Sequence, residues 1–222
     1  MIKKVRAVIF DLDGVIVKTD EYHYLAWKKL AGELGIEDFS EEDGVRQRGV
    51  SRMASLEILL EKSEKNFSEE EKIILAERKN RYYAEMLGNL DSSAILPGII
   101  ETLDYLDSGH IKKAVGSVSK NTGTILLKTG LANRFDVVVD GTTPLPSKPD
   151  PAIFLLAAEK LGVPPSRCAV AEDSHAGIEA AKRGGMTSVA VGPACNSPLA
   201  DYGTRETAGL PGIIRKITGK KT

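Results

Sequence analysis

Short apolar runs alternate with longer amphipathic segments along most of the chain, and this alternation predicts the secondary structure. The apolar runs have the length and the content of β-branched residues that are typical of buried strands. The runs are Val5–Phe10, Lys112–Ser117, Asp136–Val139, Cys168–Ala171 and Thr187–Val191. Helical patterns such as Ile99–Leu106 and Pro151–Leu161 separate the later runs. Strands that alternate with helices predict an α/β fold with a doubly wound, Rossmann-like parallel sheet as its core.

The stretch between the first two predicted strands follows a different pattern. Residues 18–90 carry long, charged amphipathic segments and no strand-like run. Ser68, followed by three glutamates, is typical of a capped helix start, because acidic groups are stabilised near a helix N-terminus. We therefore predict a helical cap domain at residues 18–90, inserted into an α/β phosphotransferase core formed by residues 1–17 and 91–222.

Two connectors join the predicted cap to the predicted core, Val17–Asp20 and Asp91–Gly98. The second contains small residues and a Pro-Gly pair, which are typical of turns. Two hinges that lie side by side predict a cap that opens and closes over the strand ends. A rigid helical subdomain is the alternative.

Composition excludes several classes of protein. The 222 residues carry a net charge of −1, with 42% hydrophobic and 27% charged residues, which is ordinary for a soluble globular chain. No basic block predicts a nucleic-acid partner, and no apolar run approaches the ~18 residues needed to span a membrane. The N-terminal lysines Lys3 and Lys4 precede too short an apolar run for a signal peptide. With only Cys168 and Cys195 as cysteines, we expect a cytoplasmic protein with structural thiols, and by default a monomer.

The segment Asp11–Gly14 directly follows the first predicted strand. Because residues two apart in extended chain face the same way, Asp11 and Asp13 can reach one space at the strand end. Two adjacent carboxylates repel each other unless a cation or a shared proton lies between them. The pair therefore suggests a metal-assisted site with one Asp as nucleophile and the other as acid/base. An ordinary Asp-Gly turn is the alternative.

Three further clusters follow predicted strands, where ligand-binding loops of α/β sheets occur. They are Gly116–Asn121, Ser147–Pro151 and Ala171–Ser174. Each has an ordinary structural explanation: Ser119 or Asn121 as a helix cap, Lys148 as a solvated lysine, and the acids as groups that favour a helix N-terminus.

Together the clusters predict a Mg²⁺-phosphate site at the strand ends. Mg²⁺ takes oxygen ligands, which Asp11, Asp173 and Glu172 can supply. The hydroxyl of Ser117 and the ammonium of Lys148 can neutralise phosphoryl oxygens in the transition state.

These residues also carry a family resemblance. The sequence resembles the haloacid dehalogenase superfamily of phosphotransferases over nearly its whole length. Asp11–Gly14 looks like its first motif, Ser117 its second, Lys148–Pro149 its third and Glu172–Ser174 its fourth. The resemblance implies that Asp11 is a nucleophile that forms an aspartyl phosphate and that Asp13 is the general acid/base. It also implies that the backbone carbonyl of Asp13 binds Mg²⁺ with the other carboxylates.

The predicted cap narrows the family. Glu21–Trp27, Arg48–Arg52 and Arg78–Asn80 look like cap motifs of the β-phosphoglucomutase family, and Ser117–Asn121 looks like its core motif. The resemblance implies hinge-side roles for Thr19 and His23 as partners of Asp13. It also implies a set of substrate-binding residues: Trp27, Arg48, Gly49, Val50, Arg52, Lys79, Val118, Ser119 and Asn121. A core position for Trp27, a satisfied polar contact for His23 and a solvated helix face for Lys79 are the alternatives.

The resemblance implies interconversion of β-glucose 1-phosphate and glucose 6-phosphate through β-glucose 1,6-bisphosphate. A sugar-phosphate phosphatase of the same superfamily is the second interpretation, and a non-catalytic sugar-phosphate sensor is the third. The second phosphate anchor offered by Arg48, Arg52 and Lys79 favours the mutase, since a phosphatase needs only one phosphate subsite. Departures from the family pattern are Lys18, Ala171 and Val118, and none removes a catalytic group.

Overall fold

The fold is built on one parallel sheet. The computed structural model describes residues 4–219, so the outermost residues of the predicted core, 1–3 and 220–222, and with them Lys3, lie outside the described residues. The strands are β1 (Ala7–Phe10), β2 (Lys112–Gly116), β3 (Val137–Val139), β4 (Cys168–Glu172), β5 (Thr187–Val191) and β6 (Tyr202–Thr204). They form a six-stranded sheet in the order β3-β2-β1-β4-β5-β6, with every pairing parallel. This confirms the predicted α/β class.

Helices cover both faces of this sheet and form most of the predicted cap segment, residues 18–90. In the cap segment they are α1 (Asp20–Leu34), α2 (Glu41–Arg46), α3 (Arg52–Leu60) and α4 (Glu69–Met86). Later in the chain come α5 (Ile99–Ser108), α6 (Thr122–Lys128), α7 (Ala152–Leu161), α8 (His175–Arg183) and α9 (Leu210–Thr218). Within residues 4–219, every helix is too short or too polar to span a lipid bilayer.

Strand β1 lies at the centre of the sheet and its alternate side chains serve two apolar cores. Val8 and Phe10 belong to one cluster, which α5, α6 and α9 cover. Ala7 and Ile9 belong to a second cluster, which α7 and α8 cover. Because both faces of the strand are buried, its sequence is a continuous apolar run rather than an alternating one.

Helices α1, α3 and α4 of residues 18–90 share an apolar cluster of their own, which includes Trp27, Leu30 and Leu56. No strand occurs in this fully described stretch. The predicted start of α4 is confirmed, since the Ser68 hydroxyl accepts a hydrogen bond from the backbone N–H of Glu71. Tyr83, near the end of α4, packs with the core cluster instead, so the division at residues 18–90 stays a prediction.

The two connectors pair with each other as extended backbone. The N–H of Lys18 donates to the carbonyl of Ala94 at 2.9 Å, and the N–H of Leu96 donates to the carbonyl of Ile16 at 2.9 Å. The chain therefore enters and leaves the cap segment through two adjacent strand-like segments.

Sequence reasoning missed β6 and misplaced some boundaries. The sequence of β6 is only Tyr-Gly-Thr, which lacks an apolar run, and its pairing with β5 creates the strand. Strand β2 ends at Gly116 rather than Ser117, and Pro151 caps α7 instead of occupying its first turn. Such shifts are expected because the ends of elements depend on tertiary contacts.

Candidate active site

The carboxyl ends of three neighbouring strands bring the predicted core motifs together. Asp11 follows β1, Ser117 follows β2, and Glu172 ends β4. Because β1 pairs with both other strands in parallel register, these residues lie at one edge of the sheet. A cleft of about 540 Å³ opens there between the core and the cap.

Lys148 is the buried cation of this edge. Its Nζ donates to Oδ1 of Asp11 at 2.6 Å and to Oε2 of Glu172 at 2.7 Å. The residue is 2% exposed, which rules out a solvated lysine. Glu172 is held at both oxygens, because its Oε1 accepts from the backbone N–H and the hydroxyl of Ser174.

Three carboxylates converge beside this lysine. Oxygens of Asp11, Glu172 and Asp173 all lie within 4.8 Å of one another, and all three residues are buried. Burial raises the pKa of Asp11 well above its ordinary value despite the opposing effect of Lys148, and burial together with Glu172 raises the pKa of Asp173 to about 7. An all-oxygen, anionic donor set of this kind fits a hard cation such as Mg²⁺.

The first motif ends in a glycine, Gly14, for two structural reasons. Its φ is +78°, and a Cβ at this position would lie 2.3 Å from Oδ2 of Asp173. The left-handed backbone and the close approach to Asp173 both require the absence of a side chain.

Asp13 lies on the cap side of this edge. Its Oδ1 accepts hydrogen bonds from the hydroxyl of Thr19 and, at 3.3 Å, from that of Tyr83, and Nε2 of His23 lies 3.6 Å away. Burial alone would raise the pKa of Asp13, but His23 and the two hydroxyls outweigh burial and lower this pKa. Asp13 is therefore a carboxylate in this arrangement, the form that can remove a proton.

Lys79 completes a chain of contacts that leads back to Asp13. Its Nζ lies 2.8 Å from Nδ1 of His23 and 4.7 Å from the centroid of the Trp27 ring. Burial and the charge of Arg52 lower the pKa of Lys79 to about 7. Burial and Lys79 likewise lower the pKa of His23 despite its contact with Asp13. The solvated alternative for Lys79 is wrong, since the residue is 3% exposed.

Arg52 and Asn121 meet at the far end of the cleft. Nη2 of Arg52 and Nδ2 of Asn121 each donate to Oδ1 of Asn80 at 2.8 Å. The loop that carries Asn121 is fixed by side-chain contacts, since the hydroxyls of Ser117 and Ser119 accept from backbone N–H groups two residues later. Capping of α6 by the side chain of Asn121 is therefore not what the structure shows.

Arg48 has a different environment from the other cap cations. Its guanidinium donates to Oδ2 of Asp20 at 2.9 Å and to Oδ2 of Asp173 at 3.2 Å. Arg52 and Lys79, in contrast, form no salt bridge with any carboxylate within residues 4–219. Of the three predicted cap cations, Arg52 and Lys79 thus lack an ion-pair partner within residues 4–219, and Arg48 contacts a carboxylate that follows β4.

A family model described as a haloacid dehalogenase-like hydrolase matches residues 5–185. This chain belongs to the haloacid dehalogenase-like hydrolases. The protein is thus an enzyme of that family.

Similar proteins include mutases and a phosphatase. The chain is 42% identical to a β-phosphoglucomutase of Bacillus subtilis (strain 168) over 207 residues, which cover 92% of this chain and 91% of that protein. It is 35% identical to a phosphorylated carbohydrates phosphatase of Thermotoga maritima over 186 residues, with 82% and 83% coverage. A crystal structure of a β-phosphoglucomutase from Clostridium difficile superimposes with a TM-score of 0.91 at 40% identity, with 97% of each chain covered.

The predicted site residues of this haloacid dehalogenase-like enzyme converge on one cleft. All but three line it: Asp11, Asp13, His23, Trp27, Arg48, Gly49, Val50, Arg52, Lys79, Ser117, Val118, Ser119, Asn121 and Asp173. Thr19, Lys148 and Glu172 lie behind the lining as its buried supports. Trp27 belongs both to the lining and to the apolar cluster of the cap, so its core position and its place at the cleft are compatible.

Gly49 lies where the loop before α3 approaches the core closely. Its φ is +72°, and a Cβ there would lie 2.2 Å from the hydroxyl oxygen of Ser174. The close approach that requires glycine is therefore to the core. This contact and the Arg48–Asp173 contact fix the same cap loop against the family's fourth motif.

Sequence reasoning missed Tyr83 and Asn80 as site residues. Tyr83 follows Lys79 by four positions on α4 and therefore shares its helix face, which is a signal that could have revealed it. Its ring stacks on His23 with centroids 3.9 Å apart. Asn80 lies within a cap motif, but nothing in the sequence indicates that its partners are Arg52 and Asn121.

Proposed function

We propose that this enzyme is a β-phosphoglucomutase that interconverts β-D-glucose 1-phosphate and glucose 6-phosphate through β-glucose 1,6-bisphosphate. The relatives named β-phosphoglucomutase support this choice at 42% and 40% identity over nearly the whole chain. We retain a monomer and a cytoplasmic location as parts of the proposal.

One observation carries the proposal: the cleft has two ends that suit phosphate. At the core end lie Asp11, Ser117 and Lys148, and at the cap end lie Arg52 and Lys79, cations without a carboxylate partner among residues 4–219. We call Arg52, Lys79 and Asn121 the distal site. A mutase must bind a sugar bisphosphate at both ends, whereas a phosphatase requires one phosphate subsite and a water.

In the proposed reaction the carboxylate of Asp11 attacks phosphorus, and the bond between phosphorus and the sugar oxygen breaks. Asp13 delivers to that leaving oxygen the proton that it takes from the attacking sugar hydroxyl in the other half of the reaction. In the opposite direction Asp13 removes the proton of the attacking sugar hydroxyl, which then accepts the phosphoryl group from Asp11. Lys148 and Ser117 balance the charge that develops on the phosphoryl oxygens.

Asp11, Glu172, Asp173 and the backbone carbonyl of Asp13 are the residues that would hold Mg²⁺, and the buried carboxylate cluster supports this set. When bound, Mg²⁺ supplies positive charge that screens the phosphoryl oxygens from the attacking carboxylate. Lys148 orients Asp11 and Glu172 at hydrogen-bond distance, so the protein positions two of these carboxylates itself.

The proposed cap, residues 18–90, would control the proton transfer. Thr19 and His23 hold Asp13 from the hinge side, so a movement of the cap would move the general acid/base with it. Closure would also keep water away from the phosphorylated Asp11, which water would otherwise hydrolyse.

A sugar-phosphate phosphatase is the second candidate, and the 35% identity with the Thermotoga maritima phosphatase favours it. The two activities differ in the acceptor of the phosphoryl group, which is a sugar hydroxyl in the mutase and water in the phosphatase. Their products therefore separate them.

The test supplies β-glucose 1-phosphate, Mg²⁺ and a trace of β-glucose 1,6-bisphosphate, and follows glucose 6-phosphate and free phosphate together. We expect glucose 6-phosphate to form much faster than phosphate. Phosphate without glucose 6-phosphate would establish the phosphatase instead.

An Asp11→Asn variant serves as the control for the nucleophile. We expect it to lose both products and to incorporate no phosphoryl group, because an amide is a poor nucleophile toward phosphorus. Near-normal mutase turnover by the folded variant would contradict the assignment of Asp11.

A further inference from the structure

The side-chain amide of Asn80 connects the cap to the core at the distal site. Its Oδ1 accepts one hydrogen bond from Arg52 at the start of α3 and one from Asn121 at the start of α6, both at 2.8 Å. Asn80 itself belongs to α4 and lines the cleft. One acceptor atom therefore ties together two donors that lie 69 positions apart in the sequence, on different sides of the cleft.

We propose that Asn80 is a positioning residue that holds Arg52 and Asn121 together as the two arms of the distal phosphate site. This proposal rests on the proposed function, since it assigns a role to Asn80 in binding the second phosphate of the substrate.

The amide suits this role because it is a neutral acceptor. Arg52 is partly buried and forms no salt bridge within residues 4–219; Glu77 acts on it only through its charge, without a direct contact, so the guanidinium can still bind an anion. A carboxylate at position 80 would orient the guanidinium equally well, but it would also neutralise the guanidinium and repel phosphate. An amide oxygen orients the guanidinium and leaves its charge uncancelled.

The two hydrogen bonds to Asn80 also fix the side chains of Arg52 and Asn121 before the substrate binds. Long arginine side chains lose considerable rotamer entropy when they are fixed, and a binding site that is already ordered avoids this cost at the moment of binding. Because one arm belongs to the cap and the other to the core, the same atom also aligns the two sides of the cleft.

The proposal makes a specific claim about coupling: most of the effect of Asn80 on phosphate binding passes through Arg52. Removal of Asn80 should therefore matter much less once Arg52 is absent. A residue with a purely structural role would weaken binding by the same factor in both backgrounds.

The experiment is a double-mutant cycle on ligand binding. Asn80→Ala, Arg52→Ala and the double variant are prepared in the Asp11→Asn background, which prevents phosphoryl transfer. The affinity of each for β-glucose 1,6-bisphosphate with Mg²⁺ is measured by isothermal titration calorimetry. Asn89→Ala, an exposed asparagine just beyond α4, is the matched control.

We expect Asn80→Ala to weaken binding about 5–50-fold, since it removes a hydrogen bond to a charged group. In the Arg52→Ala background the same change should weaken binding less than about threefold, and Asn89→Ala should have no effect. Equal factors in the two backgrounds would overturn the proposal.

An Asn80→Asp variant keeps the size and the acceptor of asparagine, so it tests the neutral acceptor even if the alanine variant folds poorly. We expect this variant, made in the Asp11→Asn background, to bind the bisphosphate about fivefold more weakly than the Asp11→Asn protein, which is the reference protein of the experiment. Affinity equal to that of the reference protein would contradict the proposal.

The binding cycle and the product assay together separate a failure of the Asn80 proposal from a failure of the proposed function. Coupled losses of affinity in a protein that releases only free phosphate would support Asn80 and overturn the mutase. Uncoupled losses in a protein with mutase activity would overturn Asn80 alone. Absence of bisphosphate binding by the reference protein would overturn both.

Discussion

Lys79 is a buried lysine whose neighbours do not neutralise it. Its ammonium contacts Nδ1 of His23 and the rings of Trp27 and Tyr83, and Arg52 adds a second positive charge. Such an arrangement costs stability when the amine is protonated, because burial disfavours the charged form. The cost is consistent with a site that is completed by an anionic ligand.

This environment predicts a pH-dependent stability. The pKa of Lys79 is about 7 in the folded protein, against an ordinary value of 10.5. Between these values the folded chain holds fewer protons than the unfolded chain, so the free energy of unfolding rises with pH. At roughly 1.4 kcal/mol for each pKa unit, Lys79 contributes a rise on the order of 2 kcal/mol between pH 6 and pH 9.

Urea unfolding of the wild type and of Lys79→Met at both pH values measures this contribution. We expect the methionine variant to lack that part of the rise. Lys72→Met, in the first turn of the same helix, should keep it, because the pKa of Lys72 is raised by its hydrogen bond to Glu57. The same rise in Lys79→Met as in the wild type would show that Lys79 stays protonated throughout.

At the scale of elements, the loop between α2 and α3 determines how closely the cap approaches the core. Gly49 has a left-handed backbone and contacts Ser174, the residue that caps α8 through its hydroxyl. The loop is therefore fitted to the end of a core helix rather than only to other parts of the cap.

A Gly49→Ala substitution should disturb this fit. We expect a loss of roughly 1–2 kcal/mol in stability from the left-handed backbone. We also expect a fall of about 10–100-fold in mutase kcat/KM, because the new Cβ would overlap Ser174 and misplace the loop. Unfolding and steady-state assays measure the two effects separately.

Gly35→Ala is the matched control. Its φ is +75°, and a Cβ there would meet nothing within 4 Å. We expect this variant to lose similar stability and to keep its activity. Equal losses of activity in the two variants would show that backbone strain, and not the contact with Ser174, is responsible.

At the scale of the whole molecule, the cap and the core meet through a few polar contacts as well as through the adjacent connectors. Arg48 links Asp20, at the start of α1, to Asp173, in the core carboxylate cluster. Asn80 makes the second link at the distal end of the cleft. The cap is thus held at both ends of the cleft.

Loss of the first link should favour the open cap. We expect Arg48→Ala to lower mutase kcat/KM by roughly tenfold, since it removes charge-assisted contacts of about 1.5–3 kcal/mol. It should also raise the ratio of free phosphate to glucose 6-phosphate, because water reaches phosphorylated Asp11 more easily. The coupled assay reports both products at once.

Arg46→Ala provides the comparison, because Arg46 pairs with Glu61 and Asp43, which both belong to the cap. We expect this variant to leave the product ratio unchanged. An unchanged ratio in Arg48→Ala as well would mean that Arg48 does not help to exclude water.

The pattern of apolar residues predicted five of the strands, because burial on both faces of a strand produces a continuous apolar run. It also predicted the helical nature of residues 18–90, because amphipathic helices repeat their apolar residues at helical spacing. It failed for β6, whose three residues become a strand only through pairing with β5. Local patterns carry information about elements that bury apolar side chains, and much less about those that depend on a neighbour's backbone.

For the site, the sequence by itself determined where the core motifs lie, because Asp11, Ser117 and Glu172 stand at the ends of recognisable strands and Lys148 occurs between them in the expected order. Only the tertiary structure decided the partners of the cap residues. Arg48, Arg52 and Lys79 are equivalent as cations in the sequence, yet one meets two carboxylates, one meets an amide, and one meets a histidine. These contacts join residues far apart in the chain, and they arise from how the cap packs on the sheet, which no local pattern encodes.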